Sequence, residues 1–113
     1  MSRKASGLKA WAIQRGTALY LAAFFVFVLA KLGADPLPDY AAWRAWVADP
    51  VVSLAGLVFF AALLIHAWIG VRDILMDYVS HAGARVAALA LVALVLVGSG
   101  LWAVQILFLA RVV

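Results

Sequence analysis

IHAWIGVRDILMDYV, residues 65–79, is the stretch from which the fold and the function of this chain are best approached. It places one histidine, His66, inside an apolar run that is too long for an ordinary core helix. It ends with Asp77 and Tyr78, where that run meets water. Because an ionisable side chain inside a membrane segment is expensive to hold there, it is a functional-site hypothesis by default. His66 is therefore the first candidate site residue.

The helical repeat predicts what lies around His66. Ala62 and Gly70 would sit one turn away on either side, on the same helix face. Two such small residues predict a flat recess in which a large planar ligand could lie against the backbone. Asp77 follows about three turns, or roughly 16 Å, along the axis and returns to nearly the same face. This face would carry a buried nitrogen ligand and, nearer the membrane surface, a carboxylate beside the Tyr78 phenol.

Composition sets the class of protein. Of the 113 residues, 69% are hydrophobic and 12% are charged, against about 45–50% and 25% in soluble domains. The sequence therefore predicts an integral membrane protein with a single domain, residues 1–113. It has no cysteine, which excludes thiolate metal sites and cysteine nucleophiles. The net charge of +4 comes from basic residues at the ends of apolar runs, so we predict a membrane-lipid environment and no nucleic-acid partner.

The apolar runs predict an all-α membrane fold. We expect a cytoplasmic N-terminal segment over residues 1–15 and three transmembrane helices at about 16–33, 51–76 and 86–109. A cleaved signal peptide is the alternative for the first run, but the long basic region and the Lys31 that follows favour a retained helix. Asp39 is expected to cap a short surface helix, and Asp49-Pro50 to begin the second span.

The distribution of lysine and arginine predicts the orientation. Six lie on the side of the N-terminus and three on the other: Arg3, Lys4, Lys9, Arg15, Arg72 and Arg85 against Lys31, Arg44 and Arg111. The positive-inside rule then places the N-terminus in the cytoplasm and the C-terminus outside.

The residues allow two kinds of ligand chemistry. His66 could serve as an axial ligand of haem iron or simply pack between helices. His81 lies in a surface loop and is a poor opposite ligand, so a second histidine ligand would have to come from another chain. Arg15 could pair with a propionate or phosphate, or reach the lipid headgroups. Tyr78 could donate to a quinone carbonyl with Asp77 orienting it or relaying protons, or both could simply be solvated.

Hydrolytic catalysis is not supported. The chain has no glutamate, no serine, histidine and acid that could meet in space, and no phosphate-binding loop. We predict no catalytic residue, so this chain would not be an enzyme alone.

Two segments resemble a known family. They are Ser6-Gly7-x-x-x-Trp11-x-x-Gln14-Arg15-x-Thr17-Ala18 before and within the first span, and His66-Ala67-Trp68-Ile69-Gly70 with Asp77-Tyr78-Val79 in the second. In these segments, and in length, span number and orientation, the chain resembles the D-type hydrophobic membrane-anchor subunit of succinate dehydrogenase (succinate:quinone oxidoreductase, respiratory complex II).

This resemblance implies roles for the candidate residues. His66 would be an axial ligand of a b-type haem shared with a C-type second anchor subunit, which would supply the other ligand. Arg15 would lie near the haem propionates, Tyr78 would bind the quinone head group, and Asp77 would belong to the same quinone site.

The resemblance also implies an assembly and a location. An iron–sulfur subunit and a flavoprotein subunit would pass electrons from succinate to ubiquinone or menaquinone at the cytoplasmic (inner) membrane of a bacterium. Three other interpretations remain: an anchor of a quinol:fumarate reductase, a small membrane transporter, and a structural helper of an unrelated complex.

Overall fold

The computed structural model describes the backbone of residues 3–112 and the side chains of residues 7–112, so Ser6 of the first motif lies outside the described side chains. The described chain forms four helices: α1 (Arg3–Ala34), α2 (Tyr40–Ala48), α3 (Pro50–Tyr78) and α4 (Ala82–Val112). Three of them are long and apolar enough to cross a membrane, over Gly7–Ala34, Pro50–Tyr78 and Ala82–Val112. The predicted all-α fold with three membrane-spanning helices is confirmed.

The helices are longer than the apolar spans within them. α1 begins at Arg3, so the basic stretch before residue 16 is already part of the first helix. α3 has 29 residues. At 1.5 Å per residue that is about 44 Å, whereas the hydrocarbon core of a bilayer is about 30 Å thick. The ends of α3 therefore reach the interfacial layers, and Asp77 and Tyr78 lie at one of these ends.

Two aspartates begin helices as predicted. The Asp39 carboxylate accepts a hydrogen bond from the Ala42 backbone N–H at 2.8 Å and caps α2. The Asp49 carboxylate accepts from the N–H groups of Val51 and Val52, at 3.0 and 3.2 Å, and Pro50 occupies the first position of α3. Both caps satisfy backbone donors that the first turn of a helix leaves without partners.

α3 is the central helix. It contacts α1 on one side and α4 on another, while α1 and α4 make no close backbone contact over residues 3–112. α2 packs chiefly against α4, where Val47, Leu107 and Ala110 form a small buried cluster. Because α3 carries three of the four predicted site residues, the contacts of α3 decide what surrounds them.

The contact between α1 and α3 combines aromatic packing with one hydrogen bond. Phe24 of α1 stacks on Phe59 of α3 with 4.6 Å between ring centroids. The Tyr20 hydroxyl donates to the Ala55 carbonyl of α3 at 2.7 Å. These contacts fix the register of α1 on α3, and this register determines which α1 side chains meet His66.

The contact between α3 and α4 depends on a glycine of α4. A Cβ atom at Gly100 would lie 2.5 Å from Leu64 Cδ1, so the absence of a side chain admits Leu64 there. A Cβ atom at Gly98 would meet no heavy atom within 4 Å. Of these two glycines, Gly100 is therefore the one at which α3 and α4 approach closely.

Candidate functional site

His66 lies on α3 and contacts α1. Its ring is partly buried, and its Nδ1 atom is 3.1 Å from Thr17 Oγ1 on α1. Nε2, the other ring nitrogen, has no hydrogen-bond partner among the described side chains. The imidazole is therefore held on one side by its own chain and has one nitrogen available on the other.

The small residues around His66 admit α1 rather than leaving an open recess. A Cβ atom at Gly70 would lie 3.5 Å from Gln14 Nε2 of α1, and Ala62 is buried. The predicted recess is therefore covered at Gly70 by this chain itself, because side chains of α1 pack onto the same stripe of α3. The sequence shows the small residues but not which helix will use them.

Five open cavities of about 310–420 Å³ lie between the helices within residues 7–112, and His66 lines none of these five. The contact that holds the imidazole is therefore the one with Thr17 of α1 rather than the wall of one of these cavities.

One polar cavity lies next to the site, toward the C-terminal end of α3. It has a volume of about 420 Å³ and is lined by residues of both helices: Gly7, Ala10, Trp11, Gln14, Ile69, Arg72 and Asp73. Arg72 pairs there with Asp73 at 3.3 Å, and the Gln14 Oε1 atom is buried without a hydrogen-bond partner. The cavity is a polar region between the partly buried histidine and the membrane surface.

Arg15 stacks on a tryptophan of its own helix. Its guanidinium lies over the Trp11 ring, 5.6 Å from the ring centroid, and its side chain is exposed. It precedes Thr17 by two residues, which is about 200° around a helix with 3.6 residues per turn. Arg15 therefore lies on a different face of α1 from the residue that contacts the histidine.

Asp77 and Tyr78 end α3 at the surface. The helix is continuous from His66 to Tyr78, so Asp77 keeps the face predicted from the repeat. Tyr78 is 82% exposed, and no hydrogen bond or ion pair joins either side chain to another described residue. Their polar atoms are available to a substrate or a partner.

The turn after Tyr78 is fixed by two residues whose roles the sequence did not reveal. Arg85 Nε donates to the Val79 carbonyl at 2.9 Å and so satisfies a backbone acceptor just beyond α3. His81 Nδ1 accepts from the Ala84 N–H at 3.0 Å and caps α4. The signal that could have identified His81 is its place directly before an apolar helix, where a side-chain acceptor is useful.

The donor set fits a haem better than a bare metal ion. Within the described residues there is no group of three or more histidine, cysteine, aspartate or glutamate side chains arranged to hold a metal. A haem iron, by contrast, needs only one ligand from each axial side, since the porphyrin supplies the other four. A single imidazole with a free Nε2 could supply one of these two ligands.

Comparison with known proteins identifies the family of the chain. The model of the family "Succinate dehydrogenase/Fumarate reductase transmembrane subunit" matches residues 1–108. The chain is also similar to a succinate dehydrogenase hydrophobic membrane anchor subunit from Coxiella burnetii (strain RSA 493 / Nine Mile phase I). The two are 36% identical over 105 residues, which cover 93% of this chain and 91% of the relative.

Proposed function

This chain belongs to the family of succinate dehydrogenase/fumarate reductase transmembrane subunits and is a multi-pass membrane-anchor subunit, and from that premise we propose its part in the complex. It holds one side of a b-type haem through His66 and forms part of the quinone-reduction site through Tyr78 and Asp77. Electrons from succinate pass to quinone in the complex, whereas this chain alone carries no catalytic residue.

The observation that carries the proposal is the state of the His66 ring. Nδ1 is engaged by Thr17 on the neighbouring helix, and Nε2 is left for a ligand. When bound, a b-type haem supplies a one-electron redox centre beside the route to quinone. This chain contributes the axial nitrogen, the fixed orientation of the ring and an apolar span that excludes water.

Arg15 has a more demanding part in this proposal. The guanidinium could pair with a haem propionate on the outer face of α1 while it remains stacked on Trp11. Otherwise the Arg15 side chain would have to move away from the Trp11 ring to reach the propionate. A fork of N–H donors suits a carboxylate in either position.

Tyr78 and Asp77 are proposed to bind the quinone head group. The phenol is exposed at the end of α3 and can donate to a quinone carbonyl. The neighbouring carboxylate can orient the phenol or move a proton as the quinone is reduced. Both groups lie at the interfacial end of the helix, where an amphipathic quinone and a water-soluble electron donor can meet.

Family membership implies iron–sulfur and flavoprotein partners, and we propose a C-type second anchor beside them. The other histidine of this chain, His81, lies in the exposed turn before α4 and caps that helix, so a second histidine ligand of a haem would come from another chain. α1 and α4 flank α3 without closing around it, which leaves room for such a neighbour.

The orientation proposed from the positive-inside rule places the N-terminus in the cytoplasm of a bacterium, at its inner membrane. Because the chain has no cysteine, single-cysteine variants report on it directly. Ala41→Cys, at an exposed position of α2, should react with a membrane-impermeant maleimide in intact spheroplasts. Ser80→Cys, in the exposed turn after α3, should react only after the membrane and the complex are opened. The reverse pattern would contradict the orientation.

Affinity purification from gently solubilised membranes tests the assembly. With a tag at the C-terminus of this chain, flavin, iron–sulfur centres and succinate-dependent quinone reduction should co-purify in fixed proportion. A chain that purifies without them is not the proposed subunit. The ratio of succinate oxidation to fumarate reduction in the same preparation separates the succinate dehydrogenase from a quinol:fumarate reductase, which shares the topology.

A further inference from the structure

We propose that Thr17 fixes the tautomer of His66 and thereby selects Nε2 as the atom that ligates haem iron. Thr17 is a positioning residue in this proposal, since it acts through the histidine and need not touch the haem. The inference rests on the proposed haem role of His66 and adds a residue from a second helix to that site.

The hydrogen bonds of Thr17 determine the direction of the contact. Its hydroxyl has one hydrogen, which lies within reach of two carbonyl oxygens of its own helix, Ile13 at 2.8 Å and Gln14 at 3.1 Å. Donation to a carbonyl three or four residues earlier is a common state of threonine within a helix. With its hydrogen used there, Thr17 Oγ1 presents a lone pair to His66 Nδ1 at 3.1 Å.

Nδ1 must then carry the ring proton. A neutral imidazole has one N–H and one bare nitrogen, so an N–H at Nδ1 leaves the lone pair on Nε2. In this tautomer the Thr17 hydrogen, the Nδ1 proton and the hydroxyl lone pair all have partners, and the nitrogen without a protein partner is the one that can bind a metal.

The opposite tautomer is less consistent with the surroundings. The Thr17 hydroxyl would have to turn from both carbonyls toward Nδ1, and Nε2 would carry a hydrogen that no described side chain accepts. A polar hydrogen left unpaired in a nonaqueous setting costs about 1–3 kcal/mol. That tautomer also has no lone pair on Nε2 and cannot ligate iron through it.

The contact has a second consequence for a bound metal. A ligating histidine that donates its other N–H to an acceptor is held in one ring orientation and is a more basic ligand. A more basic axial ligand stabilises ferric over ferrous iron and lowers the midpoint potential of the haem. Thr17 thus links the register of α1 on α3 to the redox behaviour of the site.

The test compares Thr17→Val, which keeps the shape and removes the hydroxyl, with Thr17→Ser, which keeps the hydroxyl. Both are measured in the purified complex. The readouts are haem per flavin, the reduced-minus-oxidised and electron paramagnetic resonance spectra, and the haem midpoint potential. We expect Thr17→Val to weaken haem retention by about 10- to 100-fold, as loss of such a partner typically does. It should also raise the midpoint potential, and Thr17→Ser should resemble the unmodified protein.

Tyr20→Phe is the matched control. It removes the hydrogen bond from Tyr20 to the Ala55 carbonyl, which joins the same two helices about three turns along α3 from His66 and does not involve the histidine. If Thr17→Val acted only by weakening the packing of α1 on α3, Tyr20→Phe would change the haem spectrum and potential to a similar extent. We expect the haem spectrum and potential of Tyr20→Phe to be unchanged.

The outcomes separate this inference from the proposed function. The tautomer role is overturned if Thr17→Val keeps the spectrum, potential and haem content, if the valine and serine variants behave alike, or if Tyr20→Phe shifts the haem equally. If haem retention depends on His66 but not on Thr17, only this inference fails. If the unmodified complex holds no haem, or if His66→Ala leaves the haem unchanged, the haem part of the proposed function fails with it.

Discussion

Replacement of His66 by alanine is expected to abolish the low-spin b-haem signal of the complex or convert most of it to a high-spin form. The physical reason is that low-spin haem needs strong ligands on both axial sides, and alanine supplies none. Loss of a residue that only supports a metal ligand typically costs 10- to 100-fold in affinity, so we expect loss of the ligand itself to weaken haem retention on the order of ten-fold or more.

The measurement is a reduced-minus-oxidised absorption spectrum of the complex, tagged on this subunit and normalised to flavin. Succinate oxidation with a water-soluble artificial acceptor should be unchanged, because flavin and the iron–sulfur centres lie in other subunits. That activity also serves as the measure of assembly, so that a loss of haem is not confused with a loss of the complex.

The chain contains its own control in its other histidine. His81→Ala removes an imidazole from the exposed turn before α4, where it caps the helix. We expect a small loss of stability, about 1 kcal/mol by analogy with other helix caps, and no change in the haem spectrum. If His81→Ala lost the haem and His66→Ala kept it, His81 rather than His66 would be the haem ligand.

Two results would reopen other interpretations. An unmodified complex without haem would remove the ligand role of His66 and leave only the anchor. Loss of haem in His66→Ala together with an intact transport activity would favour a small transporter, for which His66 is the one ionisable residue well inside a predicted span.

Features that depend on neighbouring residues could be predicted from the sequence. The three spans follow from apolar runs long enough to cross a bilayer. The caps at Asp39 and Asp49 follow from local side-chain chemistry that acts within one helical turn. The shared face of His66 and Asp77 follows from the helical repeat once α3 is continuous between them.

Features that depend on how two helices pack against each other could not be predicted from the sequence. Thr17 lies 49 residues before His66, and only the register of α1 on α3 brings its hydroxyl to the imidazole. The same register places Gln14 beside Gly70, where an open recess was expected, and leaves Arg15, two residues before Thr17, on another face of α1. Hydropathy carries little information about this register because lipid-facing and helix-facing side chains in a membrane bundle are both apolar.

Replacement of Tyr78 by phenylalanine is expected to slow quinone reduction by succinate about 10- to 100-fold. The change removes one oxygen from a side chain that is 82% exposed and has no hydrogen bond to another described residue, so the fold of this chain should not respond. If the phenol donates to a quinone carbonyl, its loss removes a hydrogen bond of about 1–3 kcal/mol from the bound quinone. The measurement is succinate:quinone reductase activity over a range of quinone concentrations.

The kinetic pattern tells how the phenol acts. A rise in KM with unchanged kcat would mean that Tyr78 binds quinone equally before and during reduction, and a fall in kcat would mean that its hydrogen bond strengthens as charge develops on the quinone oxygen. Asp77→Asn keeps the shape of the neighbouring side chain and removes its capacity to take a proton. If Asp77 only orients the phenol, Asp77→Asn should retain most of the activity, whereas a proton relay predicts a fall in kcat.

The other two tyrosines of the chain provide the comparison that decides the Tyr78 assignment. Tyr40→Phe changes an exposed phenol that stacks on Trp43 at the opposite end of the bundle. Tyr20→Phe changes a phenol bonded to α3 within the span. Both should leave quinone reduction within about two-fold, because neither position is near the end of α3 where the head group is proposed to bind. Equal losses of quinone reduction in all three variants would indicate a defect in the assembly of the complex. If Tyr78→Phe kept both its quinone reduction and its haem, Tyr78 would not be part of the quinone site.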